Sequence, residues 1–252
     1  MKFLKFIKHI IPLSLYIKLR NVYKIYFEKD TFTIQYAKWM IEKGDDTYRL
    51  NYPELDADSI ILDLGGYVGD FAYSINKKYN CNVVIFEPHP RYYQACVERF
   101  KANKKIRIFN YGVGDQDGEF KLYDCVEGSS FLNPAIQSKQ HVLCQIRNIL
   151  HVLIDLKLDQ VDLMKVNIEG GEYDLLQYLI REDKLQIAKK YQIQFHGFIE
   201  NASSKRDFIV SALHKKFERK WCFEFVWEGW EQKIIDEEHK ISEESFEESN
   251  CR

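Results

Sequence analysis

The stretch Ile60-Ile61-Leu62-Asp63-Leu64-Gly65-Gly66-Tyr67-Val68-Gly69-Asp70-Phe71 decides the fold of this 252-residue chain. A β-rich apolar run enters a turn holding three glycines, and a segment of mixed apolar and polar residues follows. The order predicts a buried parallel strand, a tight turn and a helix over residues 67–79. Glycine reaches positive φ at low cost and leaves bare backbone open to a ligand's approach. Such turns cradle nucleotide-like ligands in α/β sheets, and elsewhere they only pack a helix on a strand.

A second strand is expected over residues 82–86, where Val83-Val84-Ile85-Phe86 is followed by Glu87 and Pro88. Proline directly after the acid fits an abrupt strand end. Glu87 lies 22 residues beyond Gly65. At the tip of the second strand of a nucleotide-binding sheet, a carboxylate accepts hydrogen bonds from ribose hydroxyls. A solvated strand-end glutamate is the plainer alternative. The turn lacks Gly-Lys-Ser/Thr, which excludes a P-loop. It also lacks the full Gly-x-Gly-x-x-Gly that an NAD-dependent oxidoreductase would carry. Asp63, two residues before the first glycine, suits the cationic end of a ligand such as S-adenosylmethionine better than a pyrophosphate.

With these stretches go Asn110-Tyr111-Gly112-Val113-Gly114-Asp115-Gln116-Asp117-Gly118-Glu119 and Val161-Asp162-Leu163-Met164-Lys165-Val166-Asn167-Ile168-Glu169-Gly170-Gly171-Glu172. Together they resemble the FkbM-type S-adenosylmethionine-dependent methyltransferases, of the class I superfamily, over about residues 58–200. The last stretch is the most specific. The resemblance implies an α/β, Rossmann-like fold: a mostly parallel seven-stranded sheet with helices on both faces and an antiparallel closing strand. It implies methyl transfer from S-adenosylmethionine to a hydroxyl of a sugar, glycan or sugar-containing metabolite. Asn167 stands where the family usually has aspartate. Asparagine keeps an acceptor and gains donors but loses the charge.

Further strands are expected over residues 106–110, 118–124, 141–146, 161–168 and 191–196, and a closing antiparallel pair over 221–227 and 231–235. Helices are expected over residues 91–102, 148–158, 171–181 and 203–217, the last capped by Ser203 or Ser204. Ligands of open parallel sheets bind beyond the carboxyl ends of the strands. That rim gathers Asp63, Gly65, Gly66, Glu87, Gly114, Asp115, Asn167, Glu169 and His196. Cofactor contacts are therefore expected from Asp63, Gly65, Gly66, Tyr67, Gly69, Glu87, Pro88, Gly114, Asp115 and Asn167; Tyr67 and Phe86 are placed to flank the adenine, although aromatic residues at such positions are as often core. A hydroxyl acceptor must lose a proton, and histidine titrates near neutral pH. His196 is the leading base, and a structural hydrogen bond is its alternative role. Glu169 and Glu172 are the other catalytic candidates, although Glu172 also fits a helix cap. Asp115, Glu169 and His196 would make a hard-ligand set for a divalent metal. No metal is the expectation, because no dense acidic cluster accompanies them.

Hydrophobic residues make up 46% of the chain, enough for a sizeable core. A net charge of -2 without a basic stripe gives no reason to expect a nucleic-acid partner. Asn133-Pro134 runs into Ala135 rather than Pro-aromatic, which argues against a nucleic-acid N-methyltransferase. Cys81, Cys96, Cys125, Cys144, Cys222 and Cys251 show no Cys-x-x-Cys spacing and fit incidental thiols in a reducing cytoplasm. Three units are expected: a basic amphipathic extension and lid (1–57), the methyltransferase domain (58–236) and an acidic, disordered tail (237–252). The extension carries Lys2, Lys5, Lys8, Lys18, Arg20 and Lys24 among apolar residues, with too many charges for a spanning helix. It suits packing on the sheet, pairing of two subunits in a homo-oligomer, or contact with the inner face of a membrane. The loop over residues 127–134 lies near the acceptor if the resemblance holds. A non-catalytic methyltransferase-like binding domain is the alternative function from another class.

Overall fold

A computed structural model describes residues 12–123 and 141–234 of the chain. The loop at 127–134, the tail at 237–252 and residues 1–11 of the extension lie outside the described residues.

The chain enters through two helices, α1 (Leu13–Tyr23) and α2 (Thr31–Ile41), each followed by a single π turn, Lys24–Glu28 and Asp45–Arg49. Asp30 caps α2 by accepting from the Thr33 backbone N–H at 2.9 Å. Next come β1 (Ile60–Leu64), α3 (Asp70–Tyr79), β2 (Asn82–Phe86), α4 (Pro90–Phe100) and β3 (Ile106–Phe109). A side sheet follows, made of β4 (Gly112–Gly114), β5 (Gly118–Tyr123) and β6 (His141–Asn148). The second half runs α5 (Ile149–Leu156), β7 (Val161–Val166), α6 (Glu172–Arg181), β8 (Ala188–Ile193), α7 (Ala202–Lys216), β9 (Phe217–Phe223) and β10 (Trp227–Gln232).

The main sheet has seven strands in the order β3-β2-β1-β7-β8-β10-β9. The first five are parallel, and β10 runs antiparallel to both of its neighbours. The strand order reverses between β1 and β7, and the crevice beyond their carboxyl ends is where ligands of such sheets bind. One face of the sheet presents Leu62, Leu64, Phe86, Met164, Val166, Tyr191 and Ile193 to the core shared with α5, α6 and α7. The other presents Ile61, Val83, Ile85 and Leu163 to Phe71, Ile75, Cys96 and Phe100 of α3 and α4. Because strand side chains alternate, Asp63, Lys165 and Gln192 fall on this second face. They form one rung across three strands, Asp63 opposite Lys165 and Lys165 opposite Gln192. The segment before β1 covers that rung: Arg49 donates its Nε–H to Gln192 Oε1 at 3.0 Å, and Gln192 Nε2 donates to Tyr52 Oη at 3.0 Å. Residue Trp39 of α2 is buried against Trp221 and Phe223 of β9.

Several element ends differ from expectation. Helix α3 starts at Asp70, not 67, because Tyr67 (φ 49°) and Gly69 (φ 81°) are left-handed. Strand β8 runs three residues earlier than expected, and His196 lies past its end. Its lysines obscured the start: Lys190 is buried as a stem whose ammonium reaches Glu54 at 3.0 Å and also Glu231. Helix α7 begins at Ala202 after a left-handed Asn201 (φ 57°) that makes no side-chain cap, so neither serine caps it. The closing pair is β9 and β10, turning at Glu224-Phe225-Val226 with Phe225 at φ 59°. A positive φ at a phenylalanine is not readable from residue type.

Candidate active site

The turn after β1 is built for the protein's own packing. Gly65 adopts φ 80°, and a Cβ there would sit 1.9 Å from the Asn167 carbonyl oxygen. The strands approach so closely because Asn167 N donates to Leu64 O at 3.1 Å. A Cβ on Gly66 would strike Ile85 at 2.2 Å. Gly65 N–H donates to Phe86 O (3.0 Å) and Gly69 N–H to Gly66 O (2.8 Å). The expected bare cradle for a ligand is thus largely occupied by the protein itself.

Lys165, to which the sequence alone assigns no role, organises this turn. Its ammonium lies 2.8 Å from Asp63 Oδ1 and donates to Gly65 O at 2.6 Å. Both side chains are buried. Burial lowers the lysine's pKa, opposed by the carboxylate of Asp63. Asp63 therefore spends one oxygen on Lys165 rather than keeping its whole charge for a ligand. Its Oδ2 is buried without a hydrogen-bond partner. The available signal is the position: a lysine on the same face as Leu163, in a strand whose neighbours Leu163, Met164 and Val166 are apolar, needs a buried counter-charge.

Glu87 is 5% exposed. Its Oε2 accepts from Tyr67 N–H at 2.7 Å and its Oε1 from His89 N–H at 2.9 Å. Burial dominates over these two bonds and pushes its pKa up to about 7. Each oxygen keeps a second lone pair that a ribose hydroxyl can use. The Tyr67 ring is half exposed and lies 4.5 Å, centroid to centroid, from Tyr92. Phe86 is fully buried and stacked on Phe109, so it belongs to the core and not to an adenine slot. Pro88 is half-buried, and its carbonyl accepts from Asn110 Nδ2 at 3.1 Å. Gly114 is buried in β4 against Ile146, and the Asp115 carbonyl accepts from Asn148 Nδ2 at 2.6 Å. Both are tied to the side sheet.

A second cluster forms at the ends of β7 and β8. The turn after β7 is strained, with Glu169 at φ 53° and Gly170 at φ 108°. It delivers Glu172 to the first turn of α6, fully buried. Glu172 Oε2 accepts from Gly170 N–H at 2.8 Å. Glu172 Oε1 accepts from the His196 backbone N–H at 2.9 Å and lies 2.9 Å from His196 Nδ1. A carboxylate only accepts, so Nδ1 carries the proton and Nε2 presents its lone pair. Nε2 is buried without a hydrogen-bond partner, and Glu169 Oε2 stands 3.6 Å away, beyond hydrogen-bonding distance. Tyr173 Oη donates to the His196 carbonyl at 3.0 Å and fixes the backbone. Burial would lower the imidazole's pKa, but the Glu172 hydrogen bond and charge, with Glu169, outweigh it and the net shift is upward.

The structure thus brings His196, Glu169 and Glu172 together. Glu172 is fully buried, with its two oxygens engaged by Gly170 and His196, so it offers no surface to a substrate. The metal-ligand set fails: Asp115 does not join His196 and Glu169, and among the described residues no three His, Cys, Asp or Glu side chains group to hold a metal. Asn167 Oδ1 is a further buried acceptor without a partner. Asp63 Oδ2, Asn167 Oδ1 and His196 Nε2 are polar atoms that burial leaves wanting partners at the ends of β1, β7 and β8, as a polar cofactor and acceptor there would require.

The sheet order with an antiparallel strand between β8 and β9, and these groups beyond the switch point, fit an S-adenosylmethionine-dependent methyltransferase of the class I type, and the family match carries that class. Residues 63–220 match the Methyltransferase FkbM domain, and the chain belongs to that family. It is 27% identical over 182 residues to "Methyltransferase 1" of Beauveria bassiana (strain ARSEF 2860), covering 61% of this chain and 69% of that protein. It is similar to the crystal structure of a putative rRNA-methylase from Clostridium thermocellum, with a TM-score of 0.47 and 10% identity, over 77% of this chain and 96% of the other. It is also similar to Aeropyrum pernix fibrillarin in complex with natively bound S-adenosyl-L-methionine, with a TM-score of 0.41 and 10% identity, over 73% of this chain and 70% of the other.

Proposed function

We propose that this methyltransferase acts on oxygen, transferring the methyl group to a hydroxyl of a sugar, glycan or sugar-containing metabolite, with His196 as the general base. The observation that carries the reading is the buried Glu172–His196 pair, with Nδ1 held by the carboxylate and Nε2 left without a partner. An alcohol is a poor nucleophile until its proton leaves, and a base within hydrogen-bond reach contributes roughly 10²–10⁴-fold. S-adenosylmethionine, when bound, would supply an electrophilic methyl group on a sulfonium whose C–S bond breaks to leave a neutral thioether. His196 Nε2 accepts the hydroxyl proton as the oxygen attacks in line, and Glu172 stabilises the imidazolium that results. Glu169, exposed at 55%, reaches the same space and accepts from a neighbouring hydroxyl of the acceptor. Glu87 receives the ribose, Tyr67 flanks the base ring, and Asn167 and Asp63 Oδ2 take donors of the cofactor's methionine end. Glu87, Asp63 and Asn167 lie at the ends of successive strands β2, β1 and β7, a spacing that fits one extended ligand lying across the rim.

The sugar class of the acceptor rests on the family resemblance, and a carboxylate beside a histidine suits polyols. The test is incubation of the purified chain with methyl-labelled S-adenosylmethionine and a panel of sugars, glycans and nucleic acids, for the parent and for His196→Ala. Label on a sugar oxygen, lost in the variant, supports the reading. Label on a nucleic acid, or equal turnover of the variant, overturns it. Cofactor binding with no acceptor labelled in any class would favour a non-catalytic binding domain.

A further inference from the structure

Phe198 stands two residues beyond His196, in the turn that leads from β8 towards α7. Its ring centroid lies 5.3 Å from that of the imidazole, with the planes tilted by 54°. The same ring reaches across to the turn after β7, where a Cβ on Gly170 would stand 3.8 Å from Phe198 Cε2. One side of the ring is thus set against the ends of β7 and β8, yet the residue is 65% exposed. Single exposed apolar side chains are common on protein surfaces. This one differs because the backbone is fixed on both sides of it. Ile199 packs so closely on Gly170 that a Cβ there would meet Ile199 Cδ1 at 2.5 Å, and the Ile199 carbonyl accepts from Ala202 N–H at 3.1 Å. On the other side, the His196 carbonyl accepts from Tyr173 Oη at 3.0 Å. An aromatic face held in this way is in place before a ligand arrives, which lowers the cost of binding.

The surroundings select the ligand. Glu169 immediately precedes Gly170, is 55% exposed and sets its Oε2 3.6 Å from His196 Nε2. An apolar ring, a carboxylate and an imidazole nitrogen, the last two able to accept hydrogen bonds, therefore share one rim. A pyranose has the matching mixed character, with C–H groups covering a face of the ring and hydroxyls standing at its edge. The C–H groups carry partial positive charge and settle on the negative face of an aromatic ring. A nucleobase would also stack, but its strand brings phosphates towards Glu169, where like charges repel. We infer that Phe198 is the platform for the acceptor, a pyranose whose C–H face lies on the ring while two neighbouring hydroxyls at its edge meet His196 Nε2 and Glu169 Oε2. Phe198 then determines specificity, selecting a cyclic sugar over an open-chain polyol. The inference rests on the reading of the protein as a sugar O-methyltransferase with His196 as base.

The test is saturation-transfer NMR on the full chain loaded with S-adenosylhomocysteine. Transfer from the protein's aromatic protons is read on the ring C–H protons of the methyl glycosides of glucose, galactose, mannose, xylose, fucose and rhamnose, with sorbitol and cytidine monophosphate as comparisons. Transfer is expected to at least one glycoside and to neither comparison. Phe198→Ala should cut it about three- to tenfold and Phe198→Trp should keep it, both with the parent's melting temperature and S-adenosylhomocysteine affinity. For a glycoside that the parent methylates, Phe198→Ala should raise KM by the same factor and leave kcat in place. No transfer to any glycoside, equal transfer in Phe198→Ala, stronger transfer to sorbitol or cytidine monophosphate, or a fall in kcat at constant KM overturns the inference. The base is tested apart from the platform. Turnover lost in His196→Ala with full glycoside transfer in Phe198→Ala sinks the platform alone, and the reverse pair of results sinks the base alone.

Discussion

One carboxylate oxygen, Glu172 Oε1, holds His196 twice: it accepts the backbone N–H and the ring Nδ1–H, each at 2.9 Å. Ring orientation and tautomer are therefore set by a single buried atom. Glu172→Gln keeps the shape but can place an amide N–H against Nδ1, so the proton moves to Nε2 and the base is lost. Turnover should fall by about 10²–10⁴-fold with cofactor affinity within about twofold of the parent. Calorimetric titration alongside initial rates checks this split, and unchanged rates would remove Glu172 from the base.

The same pair sets a pH dependence. His196 is raised above the ordinary histidine value of 6.5 because Glu172 and Glu169 outweigh burial. The base works unprotonated, so the rate at saturating substrates should climb with pH through an apparent pKa above 6.5 and then level. Glu169→Gln removes one of the two charges that favour the imidazolium, so the rise should move to lower pH. Stability follows the opposite sense: the raised pKa contributes below the unfolded value and is lost as pH rises through the folded one. A rate profile that Glu169→Gln leaves in place would separate the two residues.

How much of this was readable beforehand follows from what each residue contacts. The strands β1, β2 and β7 show themselves as apolar runs because both sheet faces are covered. Glu87 and Asn167 directly follow the ends of β2 and β7, and Glu169 and His196 lie three residues beyond the ends of β7 and β8, close enough for strand ends to bring them to the rim. What was hidden is pairing. Lys165 and Asp63 are 102 residues apart in sequence and meet only through the register of β1 with β7. Gly114 and Asp115 follow the third strand, yet they turn into a side sheet whose partner β6 is remote in sequence. Phe86, an aromatic residue at a strand tip, fits either a ligand contact or the core by residue type, and only its packing on Phe109 decides for the core.

Lys165 should be costly to remove. Lys165→Met leaves the buried Asp63 carboxylate unpaired and frees the Gly65 carbonyl, a loss of about 3–5 kcal/mol by urea unfolding. The double change Lys165→Met with Asp63→Asn should recover much of that, because no buried charge is left without its partner. If the double variant is as unstable as the sum of the singles, the two residues are not coupled.

Gly65 is a folding residue before it is a binding residue. Its φ of 80° and a Cβ at 1.9 Å from the Asn167 backbone oxygen mean that Gly65→Ala pushes β1 and β7 apart, since neither backbone can yield cheaply. Destabilisation of about 2 kcal/mol or more is expected from strain and clash together, and cofactor binding should fall with it. Thermal unfolding of the variant without ligand checks the order of effects. A normal melting temperature with lost cofactor affinity would mean that the turn serves the ligand directly.

Glu87 links stability and cofactor binding to pH near neutrality. Its carboxyl has an ordinary value of 4.5 and is pushed by burial to about 7 in the folded chain. The folded state thus holds the proton more tightly than the unfolded chain. Its contribution is full below about 4.5 and is lost as pH rises through about 7. Glu87→Gln keeps an acceptor for the Tyr67 or His89 N–H but cannot ionise. The variant should therefore lose less stability than the parent between pH 5 and 8, with the curves diverging by on the order of a few kcal/mol. Cofactor affinity should move the other way. The ionised carboxylate is the better acceptor for ribose hydroxyls, so binding by the parent should strengthen as pH rises through about 7, whereas Glu87→Gln should bind weakly and without that trend. Urea unfolding and calorimetric titration over the same pH series measure both. Parallel stability curves for parent and variant would mean that Glu87 stays ionised throughout, and equal affinities would place the ribose elsewhere.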